Sequence, residues 1–214
     1  MRILLMDAST SVCRCGLVQA NELLHWHEIN QAMQHASMLT VLAEQSLQGH
    51  KADAVAITLG PGSYTGLRIA ASVAKGYAFG ANVPILAIPT LDVLALAMHL
   101  ALNENAAEHD VLMPVIDARR MEVYTARYNH RAERLSPDQA LVVQSPADLE
   151  GAWIAGDGSP KLVQEFGYNK VLPDLPFAQA FARIAIQYLE EQRFADSTYL
   201  EPHYLKAFTP GPKT

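Results

Sequence analysis

Ile3-Leu4-Leu5-Met6-Asp7, an apolar run closed by an aspartate, returns later in the chain as Val111-Leu112-Met113-Pro114-Val115-Ile116-Asp117. Each run is followed by an alternating stretch, Val12–Val18 after the first and Glu122–Tyr128 after the second, so each reads as a buried strand leading into a partner strand. Outward from Asp7, strand Leu23–Ile29 comes next, then a helix His35–Gln48 with Leu39, Leu42, Ala43 and Leu47 at helical spacing. A buried strand Ala54–Leu59, a helix ending near Phe79, a strand Ile85–Ile88 and a helix Leu91–Asn103 complete the first half. Outward from Asp117, the pattern predicts strand Ala140–Val143, a helical turn Pro146–Glu150, strand Trp153–Ala155 before Gly156-Asp157-Gly158, and a long helix Phe177–Arg193. The halves share a plan and not residues. The expectation is an α/β fold of two related βββαβα subdomains, 1–104 and 105–208, joined near the polar stretch Asn103–Asp110 and ending in a mobile tail at 209–214.

Composition narrows the classes further. The chain has 214 residues, 50% hydrophobic and 18% charged, enough to bury roughly 70% of its unfolded surface without disulfide, metal or lipid. Its 16 Lys and Arg against 22 Asp and Glu leave a net charge of -6, which argues against nucleic acid as a direct primary partner. Only four apolar residues precede Asp7, too few for a signal-peptide core, and this predicts a cytoplasmic protein. The longest apolar stretch, Leu91–Leu102, is broken by Asp92 and His99 and falls short of the ~20 residues of a membrane helix. The two cysteines, Cys13 and Cys15, are too close on one strand for a disulfide and are expected as reduced, buried thiols.

The most distinctive segment is Gly60-Pro61-Gly62-Ser63-Tyr64-Thr65-Gly66-Leu67-Arg68, set between a buried strand and an apolar helix. Two readings are open: an anion site at a helix N-terminus, or a tight turn whose Ser63 or Thr65 caps the helix. Leu67 follows the last glycine where a Walker loop needs lysine. The helix is apolar on nearly every face, and Gly76 and Gly80 would admit a close neighbour, so either the chain itself or a partner covers it. Asp7, with Ser9 behind it, could hold a metal-bound nucleotide or simply cap its turn. In Asp117-Ala118-Arg119-Arg120, Arg119 is expected to pair with a nearby acid. Cys13, Cys15, His25 and His27 resemble a zinc set, but a two-residue Ala20-Asn21 turn would place the cysteines with Leu17, Leu24 and Trp26 and the histidines opposite. His35 has no histidine four residues on, and no Gly-x-Ser-x-Gly elbow occurs.

Together, Met6–Ser11, Gly60–Arg68 and Ile116–Tyr124 closely resemble the bacterial TsaB (YeaZ) family over essentially the whole chain. The resemblance implies an actin-like, Hsp70-like (ribonuclease H-like) fold and a part in making N6-threonylcarbamoyladenosine in tRNAs that read codons starting with A. It implies a non-catalytic subunit that binds and stabilises or activates its paralogue TsaD, which carries a metal-binding histidine pair and transfers threonylcarbamoyl from its adenylate, with the ATPase TsaE completing the assembly. Helices of the first subdomain would pack on TsaD, or on a second copy when the chain is alone, which points to Met38, Leu42, Gly66, Ala70, Val73, Ala74 and Tyr77 as interface. On that view, charging Ala70 or Ala74 breaks the complex and spares the fold. Asp7, Ser9, Gly62 and Ser63 remain candidates for nucleotide contact. ATP and Mg would be held by the complex and not by this chain alone, because Ala8 and Asp117-Ala118-Arg119 lack the phosphate-contacting glycine of actin-like ATPases. The competing classes are an autonomous ATPase or sugar-kinase-like enzyme using Asp7 for magnesium, and a metallopeptidase.

Overall fold

The computed structural model describes residues 1–30, 35–103 and 106–206, except the side chains of 35–37. The expected tail 209–214 lies outside these residues, as does part of the expected linker.

The first sheet forms from β1 (Arg2–Asp7), β2 (Val12–Gln19), β3 (Glu22–Asn30), β4 (Ala54–Thr58) and β5 (Ile85–Ile88) in the order β3-β2-β1-β4-β5. β2 and β3 are antiparallel neighbours, whereas β4 and β5 run parallel to β1. A parallel strand must be reached through a crossover, and helices α1 (His35–Leu47) and α2 (Tyr64–Ala81) supply the two crossovers. All five residues of β4 are buried, as expected of a strand covered on both faces. Helix α3 (Thr90–Leu102) closes the half.

The second sheet repeats the scheme with β6 (Val111–Asp117), β7 (Glu122–Thr125), β8 (Tyr128–Asn129), β9 (Gln139–Val142) and β10 (Trp153–Ala155). Its order is β9-β7-β6-β10, and a parallel bridge from Ile154 to Val171 stands where the first sheet has β5. Helices α4 (Ser159–Phe166) and α5 (Phe177–Glu190) take the places of α2 and α3, while a 3-10 turn at Pro146–Leu149 replaces α1. One core, contributed by β1, β4, β5, α3, β6, β10 and α5, lies between the sheets. A second core lies under α1 and α2, and a third under α4. This is a mixed α/β architecture of the actin-like (ribonuclease H-like) kind.

Three expectations need correction. The single strand Glu122–Tyr128 is divided into β7 and β8, although both keep one register on β6, with Val115 opposite Thr125 and Leu112 opposite Tyr128. The gap lies opposite Pro114. Val115 turns its carbonyl away to accept from the Gly158 N–H at 3.1 Å, so the alternating backbone aims position 114 at Ala126, and proline has no N–H to donate there. Helix α4 was not anticipated because its eight residues are too few for a helical period; Pro160 in its first turn and Gly167 just past its end are the signals that mark it. Finally, the Ala20-Asn21 turn forms, but a bulge between Leu17 and Val18 shifts the β2–β3 register. Cys15 then stands opposite His27 and Leu17 opposite His25, so the histidines share the cysteine face, while Trp26 crosses to the other face and meets Phe177 at 6.3 Å. Burial pushes the thiols of Cys13 and Cys15 up to about 11 and about 12, which leaves them protonated at neutral pH.

Candidate functional site

Asp7 ends β1 and is fully buried. Its Oδ1 accepts from the Ser9 N–H at 3.0 Å, the Ser9 hydroxyl at 2.6 Å and the Thr58 hydroxyl at 2.5 Å. Its Oδ2 pairs with Nη1 of Arg14 at 2.7 Å. Arg14 is directly opposite Asp7 on β2, and its guanidinium lies 4.4 Å from the centre of the Phe177 ring at the start of α5. Nε of Arg14 is 3.3 Å from the Glu28 carboxylate, an ionic contact without hydrogen-bond alignment. One carboxylate thus ties together the ends of β1, β2 and β4. Arg14, Thr58 and Phe177 were invisible to motif reading, since only the sheet brings them to Asp7.

The Gly60–Arg68 segment rests on that strand end. The Ser63 N–H donates to the Ser9 carbonyl at 2.7 Å. A Cβ at Gly62 would come within 2.3 Å of the Ser9 carbonyl oxygen, and one at Gly66 within 1.9 Å of that of Ala8. These glycines therefore serve close backbone approach. The Ser63 hydroxyl accepts from the Gly66 N–H at 3.2 Å and caps α2. Two donors that an anion would use are thus committed inside the chain, and Ser9 is committed to Asp7.

Beyond α5 the chain returns over this loop. The Ala195 N–H donates to the Ile85 carbonyl, Leu200 enters the core under α2, and the His203 N–H donates to the Leu59 carbonyl at 2.8 Å. The Tyr204 ring stacks on Tyr64 at 4.7 Å, and Lys206 pairs with Glu122 of β7. Nothing in the sequence pattern flagged this strap.

The second half carries the counterpart. Gly156 and Gly158 press on Val115 and Ile116 as Gly62 and Gly66 press on Ser9 and Ala8. Asp117 receives the Arg119 N–H at 3.0 Å and Lys161. Between the halves stands Asp157, whose carboxylate accepts the Asp117 N–H at 2.9 Å. As a residue Asp157 is exposed, yet its carboxyl is withdrawn from water, and this raises its pKa. The charges of Asp117 and Asp7 add to the rise; the Asp117 N–H and Arg14 oppose it. An acid whose pKa is raised by folding is favoured protonated, so its ionisation costs stability as pH climbs from the ordinary value of 3.8. Asp157→Asn, which keeps the acceptor, is expected to melt higher than wild type at pH 7 and to lose that advantage below pH ~4. Equal melting temperatures at pH 7 would refute the assignment.

The residues expected at a partner surface divide. Leu42, Gly66, Ala70 and Ala74 are buried in the chain's own core, with Ala70 and Ala74 at 0% exposure. One face of the apolar helix packs into the core over its own sheet, while Phe79 stands exposed on another. Met38, Val73 and Tyr77 are half-buried, and Val73 and Tyr77 line a cavity of about 580 Å³ between α1 and α2 with Thr40, Glu44 and Leu47. A Cβ at Gly76 or Gly80 would touch no described atom within 4 Å, so among the described residues these glycines have no close neighbour. Among the described residues, no group of three or more His, Cys, Asp or Glu is placed to hold a metal ion.

The family model described as "TsaD: tRNA N6-adenosine threonylcarbamoyltransferase" matches residues 9–189. The tRNA threonylcarbamoyladenosine biosynthesis protein TsaB of Haemophilus influenzae is 37% identical, with 96% of this chain and 94% of that protein covered. The chain belongs to the TsaB family. The Escherichia coli protein of the same name is 32% identical, with 96% and 95% covered. Among solved structures, YeaZ from Pseudomonas aeruginosa superposes with a TM-score of 0.74 at 26% identity, covering 95% of this chain and 99% of that one. As a TsaB-family chain it has, among the described residues, no helix long and apolar enough to cross a membrane.

Proposed function

We propose that the protein is the non-catalytic partner in forming N6-threonylcarbamoyladenosine in tRNAs that read codons starting with A. It binds and stabilises or activates a TsaD homologue, which transfers threonylcarbamoyl from threonylcarbamoyl-AMP, and a TsaE-like ATPase joins them in the cytoplasm. The observation that carries this reading is similarity to two proteins named TsaB along nearly the whole of both chains. The accessory role is supported by Asp7, whose carboxylate is consumed by Ser9, Thr58 and Arg14, and by a glycine loop whose Ser63 and Gly66 N–H groups are bound internally. ATP and Mg are accordingly assigned to the assembled complex.

The test is co-purification with the TsaD homologue, followed by a transfer assay on tRNA with each component omitted in turn. Omitting this chain is expected to abolish transfer, while the chain alone transfers nothing. Transfer at an undiminished rate without it would overturn the proposal. Micromolar ATP–Mg binding and turnover by the isolated chain would favour the autonomous ATPase instead.

A further inference from the structure

The turn between β6 and β7 carries Arg119 and Arg120, both exposed. It is closed by the Glu122 N–H donating to the Arg119 carbonyl at 3.2 Å. The backbone is left-handed at both arginines, with φ of 71° at Arg119 and 50° at Arg120. Turns of this kind ordinarily use Gly, Asn or Asp, because a Cβ with a long side chain crowds the left-handed region. Two successive arginines are therefore a poor choice for the turn alone. Their charges are also unspent. The sequence led us to expect Arg119 to pair with an acid, but among the described residues neither guanidinium makes an ion pair or hydrogen bond. The nearby acids are already engaged, Asp117 by Lys161 and Glu122 by Lys206. On a chain of net charge -6, this tip is a place where a polyanion meets two free cations instead of repulsion.

We infer that Arg119 and Arg120 form a contact for tRNA backbone phosphates within the assembled complex. The inference rests on the function proposed above and adds a direct RNA contact to it. Guanidinium groups suit the site because their planar forks match phosphate oxygens and stay charged at any physiological pH. The backbone strain and the unpaired charge then have one explanation: a turn held in an unfavoured conformation so that both side chains project from a narrow tip.

The test uses the complete complex and a tRNA transcript, with binding followed as a function of salt. In Arg119→Asn/Arg120→Gly the turn receives the residues it prefers. This variant is expected to melt no lower than wild type and to co-purify equally with the TsaD homologue. It should bind tRNA about tenfold more weakly at ~0.1 M salt, with the slope of log K against log salt reduced by about 1–2. Arg119→Lys/Arg120→Lys should recover most of the affinity. Unchanged affinity and slope in the Asn/Gly variant would overturn the inference, as would loss of co-purification, which would make the tip a protein contact. A loss of ATP affinity measured without tRNA would overturn it in favour of nucleotide phosphate. A wild-type complex that neither binds nor modifies tRNA would refute the proposed function itself.

Discussion

Ala74→Glu is expected to unfold the isolated chain, and not merely to release a partner. The Ala74 side chain is fully buried in the apolar cluster under α1 and α2. An unpaired charge there costs more than about 4 kcal/mol, a large part of the stability of a domain this size. Ala70→Glu should behave alike. Val73→Glu, half-buried at the groove between α1 and α2, should leave a folded chain. Thermal melts and gel filtration of the three variants decide the matter. A folded Ala74→Glu monomer that fails only to bind the TsaD homologue would restore the surface assignment that the sequence suggested.

Asp7→Ala is expected to be nearly as damaging. Removing the carboxylate strands Arg14, which is 16% exposed in its side chain, together with the buried hydroxyls of Thr58 and Ser9. Breaking a buried pair in this way costs about 3–5 kcal/mol. Denaturant melts should show the loss at neutral pH, and a variant as stable as wild type would contradict the structural role given to Asp7. Loss of tRNA modification in Asp7→Ala would thus report lost folding, and could not be read as lost nucleotide chemistry.

Legibility differed between elements for physical reasons. The order of strands and helices in the first half could be read because each element carries its own period, and β5 and β10 fall at their expected bounds. α4 could not, because eight residues hold barely two turns. The β2–β3 pairing failed at one bulged residue, since side chains alternate by two and a single insertion exchanges the faces. The strap from Ala195 to Lys206 pairs with backbone groups of Ile85 and Leu59, contacts that leave no mark on side-chain pattern.

The candidate site shows the same division. By itself the sequence determined that two apolar strands end in aspartate, that a glycine-rich turn follows a buried strand, and that the second half repeats the first in plan. These are local facts, set by backbone freedom and hydrophobic period. Only the tertiary structure decided that Asp7 is closed by Arg14 and Thr58, that Gly62 and Gly66 admit the carbonyls of Ser9 and Ala8, and that Ala70 and Ala74 are core. Only it showed that, among the described residues, Arg119 and Arg120 have no ion-pair partner. Whether a buried-looking helix faces its own sheet or a partner, and whether a charge finds its opposite, depends on which distant residues the fold brings within a few ångströms, and no local pattern records that.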